Sequence, residues 1–391
     1  MRDVVIVRAK RTPIGSFGGQ FKNVSAGNLA AAVIKALLQE LPFPLEKIDE
    51  VILGNCLMNT DEPNLGRTAA LMAGLPHTTT GFTVQRQCSS GMQAIVSAYQ
   101  ELALGDNDII IAGGVESMST APFVLKTARW GQRLTHGEMT DALWELLTDP
   151  QHKILMGVTA ENLARKYNIS REEQDEVAYR SHKLAVEAMD NGWFSDEIVP
   201  VEVAKSKKEK VSITTDEHPR RDVTLERLAA LPPAFVQDGT VTAGNSSGLN
   251  DGAAAVLMMR EETARQYGLE PLGYIRAYAW AGVEPELMGY GPVPAVQKLL
   301  KKTGLSLSDI DLIELNEAFA AQYLACEKLL ELDRSKVNVK GSGIALGHPV
   351  GATGARIIVT LLYELKRRNL KRGVATLCVG GGMGMAVLVE R

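Results

Sequence analysis

An ordered set of landmarks occurs twice along the chain, and such a repeat restricts it to a fold built from two related halves. Ile48-Asp49-Glu50-Val51-Ile52 resembles Ile310-Asp311-Leu312-Ile313-Glu314. Cys88-Ser-Ser-Gly91 precedes a helical pattern in one portion, as His348-Pro-Val-Gly351 does in the other. Ile111-Ala112-Gly113-Gly114 and Cys378-Val379-Gly380-Gly381 then follow. Self-similarity in a fixed order is the mark of duplicated structural units. Its chemical consequence is that Cys88 and His348 should stand at equivalent helix entrances.

Between the landmarks, short apolar runs alternate with amphipathic ones. Val4 to Val7, Val51 to Leu53, Gly81 to Val84 and Asp108 to Ala112 are expected strands. Ser25 to Leu41, Asn64 to Ala73 and Ser89 to Leu104 are expected helices, Leu29, Val33, Ala36 and Leu37 forming the stripe of a helix packed on a sheet. The final portion repeats the order. Its expected strands are Tyr274 to Ala279, Asp311 to Leu315, Val337 to Val339, Val374 to Cys378 and Met385 to Val389. Its expected helices are Pro294 to Lys302, Glu317 to Leu330 and Gly351 to Lys366. This alternation predicts an α/β layer with mainly parallel strands.

Residues 121–250 fall outside the repeat. They contain Trp130, Trp144 and Trp193, two expected helices (Ala160 to Tyr167 and Arg171 to Asn191) and a charged stretch, Lys205 to Lys210. The expected organisation is an N-terminal half at 1–120 completed by about 251–270, a loop or cap domain at 121–250, and a C-terminal half at 271–391. Insertions beside an α/β scaffold commonly build a lid or a binding surface.

Composition narrows the function classes. A net charge of −4 gives no general attraction for nucleic acid or an anionic membrane, so a ligand phosphate would have to meet a local cation. The four cysteines (Cys56, Cys88, Cys326, Cys378) form no C-x-x-C pair, which speaks against a zinc site or disulfide framework and for a reducing compartment. The histidines show no metal-ligand pattern, so no metal is expected. No apolar run approaches the ~18 residues of a membrane span, and the N-terminus enters a strand-like stretch without a signal-peptide core. The expected location is the cytoplasm.

Three residues have the chemistry and the setting of a reactive site. Cys88 follows an extended segment and precedes a helix, where unpaired N–H groups and the helix dipole favour thiolate and predict a lowered pKa. His348 lies in Gly347-His-Pro-Val-Gly-Ala-Thr-Gly354, where Pro349 restrains the backbone and an imidazole suits proton transfer near neutrality. Cys378 ends an apolar strand and enters Val379-Gly-Gly-Gly-Met-Gly384, whose glycines expose N–H groups able to stabilise an oxyanion. No helix follows those glycines, so they are not a nucleotide-binding loop. Asn316 is placed either to cap the next helix or to hold a water or carbonyl oxygen. Arg220 and Arg221 are an adjacent pair that can meet phosphate or simply be solvated. The segment Gly239 to Gly252 is a long polar loop rich in residues that permit close approach.

Taken together these segments resemble the thiolases. The resemblance runs from Arg11-Thr-Pro-Ile-Gly through Gln87-Cys-Ser-Ser-Gly, Gly113-Gly-Val-Glu-Ser-Met, Asn316-Glu-Ala-Phe and Gly347-His-Pro-Val-Gly to Cys378-Val-Gly-Gly-Gly-Met-Gly, in family order. It implies the thiolase fold, two pseudo-symmetric βαβαβαββ halves with an inserted loop domain. It also implies roles: Cys88 as the acylated nucleophile, His348 as its activator, and Cys378 as the acid/base for the α-proton of a second acyl-CoA. Asn316, through a water, and His348 would form one oxyanion site, and the N–H groups of Cys88 and Gly380 the other. Arg220 would meet the adenosine phosphate of coenzyme A. Met156, Phe235, Ala243, Ser247 and Met288 would line the coenzyme A pocket, with Ala318 and Phe319 beside the acyl site.

The implied function is acetyl-CoA C-acetyltransferase, a reversible Claisen condensation of two acetyl-CoA, with coenzyme A thioesters as substrates and no cofactor. The implied partners are acyl-CoA and CoA, in a homodimer or homotetramer, with a place in fatty acid metabolism. One departure stands out: where the family often has His-Met, this chain has Leu155-Met156, which removes a polar group near the expected coenzyme A tail. Cys88-Ser-Ser-Gly leans toward degradative 3-ketoacyl-CoA thiolases acting on longer chains, while the Asp238 to Gly252 run and the C-terminal third look more like acetoacetyl-CoA thiolases. A noncatalytic acyl-CoA or lipid carrier on the same scaffold is disfavoured by the joint presence of both cysteines and the histidine. A ketoacyl synthase is disfavoured by Cys378 in its glycine-rich setting.

Overall fold

The computed structural model describes residues 3–134, 136–206 and 209–391. Residues 207–208, inside the charged stretch noted above, lie outside the described residues. The first half carries strands Val4–Arg11, Glu50–Gly54, Thr80–Val84, Ile109–Ser117 and Asn250–Arg260, with helices Ala26–Leu37, Leu65–Met72 and Ser90–Leu104 between the first four. The second carries strands Gly273–Gly282, Leu312–Leu315, Arg372–Val379 and Met383–Glu390, with helices Pro292–Thr303, Ala320–Leu330 and Val350–Arg368. The strand expected at Val337 to Val339 is reduced to isolated bridges, Val337 with Ile313 and Val339 with Gly341.

The strands form one sheet path, in the order 312–315, 372–379, 383–390, 273–282, 4–11, 250–260, 109–117, 50–54, 80–84. Parallel pairing is confined to Glu50–Gly54 with its two neighbours and to Leu312–Leu315 with Arg372–Val379. The pairs through the centre are antiparallel, which corrects the expectation of mainly parallel strands. The reason is that the last strand of each half returns along the strand before it, and such a return is antiparallel.

Two carboxylates set the register of the halves. Asp49 accepts from the N–H groups of Asp108 and Ile109, and Asp311 from those of Lys371 and Arg372. Glu50 then stands opposite Ile110, and Leu312 opposite Gly373. Counting along both strands makes Val115, not Ile111, the counterpart of Cys378, so the third sequence landmark is out of register with the structure. The first two landmarks are in register: Cys88 lies two residues before the helix that begins at Ser90, and His348 two residues before the helix that begins at Val350.

Those two helices lie against each other in the interior. Met92, Ile95, Ile357, Ile358 and Leu361 join Val256 and Val387 of the strands in one apolar cluster. Each such side chain contributes about 1.5–3 kcal/mol by leaving water. The backbones cross on glycine: a Cβ on Gly91 would stand 2.8 Å from the Gly351 oxygen, and one on Gly354 would stand 2.6 Å from the Met92 nitrogen. Any larger residue would push the helices apart, and with them the entrances that carry Cys88 and His348. Arg11, from the first family motif, is buried and pairs with Glu197 and Asp216 at 2.7 Å each, so it anchors the intervening segment to the first strand rather than meeting a ligand. Among the described residues no helix is long and apolar enough to cross a membrane.

Candidate active site

The residues before the two helices share a backbone device. Gln87 has φ +45° and Gly347 φ +97°, so each chain turns sharply immediately before its reactive residue. A non-glycine residue in the left-handed region is uncommon and needs support. Gln87 receives it at its carbonyl oxygen, which accepts from Ser90 N at 2.9 Å, Ser90 Oγ at 2.6 Å and Cys56 Sγ at 3.1 Å. Ser90 Oγ in turn accepts from Arg86 N at 2.8 Å. On the other side, His348 N donates to Asn250 Oδ1 at 2.9 Å. Asn250 begins a central strand, Asn250–Arg260, which takes in the last residues of the segment expected as a polar loop at Gly239 to Gly252 and gives that part a structural purpose.

The expected lowering of the Cys88 pKa does not hold. Burial pushes the thiol up to about 11, against the pull of the N–H groups of Gly380 and of Cys88 itself. Loss of water around a charged sulfur outweighs the helix end, so Cys88 rests as a thiol. His348 moves the other way: burial, reinforced by the Arg356 guanidinium, pushes it down to about 3. It rests as a neutral imidazole.

The histidine tautomer follows from its neighbours. Thr353 Oγ1 donates its proton to Pro349 O at 2.9 Å, so at 2.7 Å from His348 Nδ1 it can only accept. The ring proton is therefore on Nδ1. Nε2 keeps its lone pair, is buried and bonds to no described protein group. Asn316 is not a helix cap, because the next helix starts at Ala320 with Phe319 at its cap position. Its side-chain amide instead lies 3.5 Å from His348 Nδ1, and with the proton on Nδ1 it is the amide oxygen, otherwise buried without a described partner, that accepts there.

Cys378 closes the strand Arg372–Val379, fully buried, with burial pushing its pKa well above the ordinary thiol value and the neighbouring Cys88 adding to the rise. Asn316 follows the parallel neighbour Leu312–Leu315, and Cys88 follows Thr80–Val84, so these groups gather beyond the carboxyl ends of strands, where open α/β sheets bind ligands. Gly381 and Gly382, at φ +81° and +80°, make the turn back into the final strand and leave the Gly380 N–H on the Cys88 sulfur.

Cys88, His348 and Cys378 face one cavity of about 570 Å³. Its walls include Met156, Phe235, Ala243 and Ser247, and further along Met288, Ala318 and Phe319. Asn316 and Gly380 stand just behind this lining, on His348 and Cys88 respectively. Arg220 lines the cavity too and has no carboxylate within ion-pair distance among the described residues. Arg221 points away and is held by both oxygens of Asp190, at 2.7 and 3.0 Å, which separates the two arginines that sequence alone left equivalent. Leu155 lines the wall, as the departure from the family motif implied. Sequence reasoning missed Leu143, Trp144 and Leu147, which bring the inserted segment to the cavity, and also His218. Only the unusual density of tryptophan in that segment hinted at the first group.

Comparison with known proteins identifies the family. The family model for the thiolase N-terminal domain matches residues 4–262, and that for the thiolase C-terminal domain matches residues 269–391. A probable acetyl-CoA acyltransferase of Staphylococcus aureus (strain COL) is 48% identical over 392 residues, covering 100% of both chains. The crystal structure of the Bacillus anthracis acetyl-CoA acetyltransferase superposes with a TM-score of 0.98 at 57% identity, covering 100% of this chain and 99% of that one. Human mitochondrial 3-ketoacyl-CoA thiolase in complex with CoA gives 0.96 at 46% identity, covering 100% of this chain and 98% of that one.

Proposed function

The chain belongs to the thiolase family and is an acyltransferase, and on that premise we propose that it is an acetyl-CoA C-acetyltransferase working through an acyl-Cys88 intermediate. The observation that carries the reading is the convergence of the Cys88 thiol, a His348 ring with Nε2 free, and the Cys378 thiol on one cavity.

With the thiol near 11 and the imidazolium near 3, a thiolate–imidazolium pair is not a resting state. The Cys88 proton therefore moves to His348 Nε2 as the sulfur attacks the thioester carbonyl. The tetrahedral oxyanion takes the N–H groups of Cys88 and Gly380, and its collapse expels the CoA thiolate. In this scheme Cys378 protonates that leaving group and becomes a thiolate. Burial makes this thiolate a strong base, suited to removing the α-proton of a second acetyl-CoA. The enolate oxygen lies toward His348 and Asn316, its carbon attacks the acyl–Cys88 carbonyl, and His348 returns its proton to the departing Cys88 sulfur. The protons balance, and acetoacetyl-CoA and CoA leave. Arg220 takes the adenosine phosphate, and the tail lies along Met156, Phe235, Ala243 and Ser247.

Acetyl preference is supported by the higher identity to the Bacillus anthracis acetyl-CoA acetyltransferase, 57%, than to human mitochondrial 3-ketoacyl-CoA thiolase, 46%; Cys88 itself packs against the buried side chains of Leu57, Met118, Leu143 and Val350. A thiolysis series tests this. Acetoacetyl-CoA should have the highest kcat/KM, with a fall at each longer 3-ketoacyl-CoA. A maximum at longer chains would make the enzyme a degradative 3-ketoacyl-CoA thiolase, and binding without turnover would make it a carrier. The same reading carries a homodimeric or homotetrameric assembly and a cytoplasmic location, open to sedimentation and fractionation.

A further inference from the structure

The motif Gly113-Gly-Val-Glu-Ser-Met contains a carboxylate that the proposed chemistry does not use. Glu116 is completely buried, yet its oxygens meet four donors from two separate segments. Oε1 accepts from Asn55 Nδ2 at 2.7 Å and Leu57 N at 3.1 Å. Oε2 accepts from Cys56 N at 3.0 Å and Gly351 N at 2.9 Å. All four are donors, a set that only acceptor oxygens satisfy; burial pushes the carboxyl up to about 7, against the pull of the Leu57, Cys56 and Gly351 N–H groups.

The two segments lead to the two reactive residues. Gly351 is in the first turn of the helix that His348 introduces, where N–H groups have no partner within the helix and favour negative charge. Thr353, two residues on, accepts from His348 Nδ1. Cys56 belongs to the segment beneath the nucleophile, and its thiol donates to the carbonyl of Gln87, the left-handed residue that turns Cys88 into the cavity. The contact has no slack: a Cβ on Gly351 would lie 2.5 Å from Val115 O and 2.7 Å from Glu116 Oε2.

We propose that Glu116 is a positioning residue that sets the separation of Cys88 and His348 by holding the nucleophile's supporting segment and the histidine's helix on one carboxylate. The proposal rests on the roles given above to Cys88 and His348. Glu116→Gln replaces one acceptor oxygen with a donor that faces a backbone N–H, so one of the two segments must shift. Displacements of about 1 Å at a proton-transfer pair can cost on the order of 100-fold in rate.

A double-replacement cycle tests it, with alkylation of Cys88 by iodoacetamide followed by peptide mass spectrometry on folded protein. His348→Asn should slow alkylation by about 100-fold, the ordinary size of a general-base contribution. Glu116→Gln should slow it by roughly 10- to 100-fold, with kcat reduced and KM for acetyl-CoA unchanged. The two together should be no slower than His348→Asn alone, because both act through the same proton transfer. Glu116→Asp keeps the charge with a shorter reach, so it should lose less and show the same non-additivity, and it replaces the glutamine variant if that one does not fold. Alkylation at the wild-type rate in the folded Glu116→Gln variant, or losses that multiply in the double variant, would overturn the proposal. A wild-type rate in His348→Asn would instead overturn the assignment of His348 as activator, a separate failure.

Discussion

The Nδ1 of His348 lies 2.7 Å from the hydroxyl of Thr353, whose own proton is committed to Pro349 O. This contact fixes the tautomer that leaves Nε2 able to take a proton. Removing the acceptor strands a buried N–H, at a cost of about 1–3 kcal/mol. Thr353→Val should therefore lower kcat by roughly 10- to 100-fold with little change in KM, and Thr353→Ser should recover most of it. Steady-state kinetics of the two variants checks the claim, and a valine variant at full kcat would remove Thr353 from the account.

The charge state of His348 gives a pH prediction. Its pKa is pushed down to about 3 by burial and then by Arg356, so the ring stays neutral through the physiological range. In a histidine NMR titration, the resonance missing from His348→Asn should stay flat between about pH 5 and 8, in contrast to an ordinary imidazole near 6.5. The linkage has the same sign: the unfolded ring takes up a proton below its ordinary pKa and the folded ring does not. Stability from this group is thus complete above about 6.5 and is lost as pH falls toward 3. A step near 6.5 in the folded protein would contradict the stated environment.

Arg220 and Arg221 should separate cleanly in binding. Arg220→Ala should raise KM for acetyl-CoA several-fold with a smaller change in kcat, the pattern of a group that binds ground and transition states alike. Arg221→Ala should leave both nearly unchanged, because its guanidinium is held by Asp190 on an exposed face. Equal effects from the two replacements would show that the loop rearranges when ligand binds.

Cys378 divides the two half-reactions. Cys378→Ala should still form acetyl–Cys88, more slowly, yet show almost no condensation or thiolysis and no exchange of acetyl-CoA methyl hydrogens with deuterated water. Cys88→Ala should lose the covalent intermediate itself. The losses should not add, since the residues act as one unit. Rapid condensation by a folded Cys378→Ala variant would make Cys378 structural.

Much of this was legible in the sequence because the helix entrances and strand ends are local patterns. The repeated Ile-Asp motif marked the two register clamps, Asp49 and Asp311. The entrances carrying Cys88 and His348 were readable from turn-forming residues next to helical periodicity. What stayed hidden depends on pairing between distant segments. The antiparallel returns of Asn250–Arg260 and Met383–Glu390 leave no periodic signal. The rise of the Cys88 pKa needed the burial around it, which a motif at a helix start does not reveal. Arg220 and Arg221 differ only because Asp190 lies beside one of them.

The central claim is that Cys88 carries the acyl group. Brief exposure to acetyl-CoA, acid quench and peptide mass spectrometry tests it directly. The account predicts one acetyl mass on the peptide containing Cys88, absent in Cys88→Ala. Acetylation found only at Cys56, Cys326 or Cys378 would contradict it.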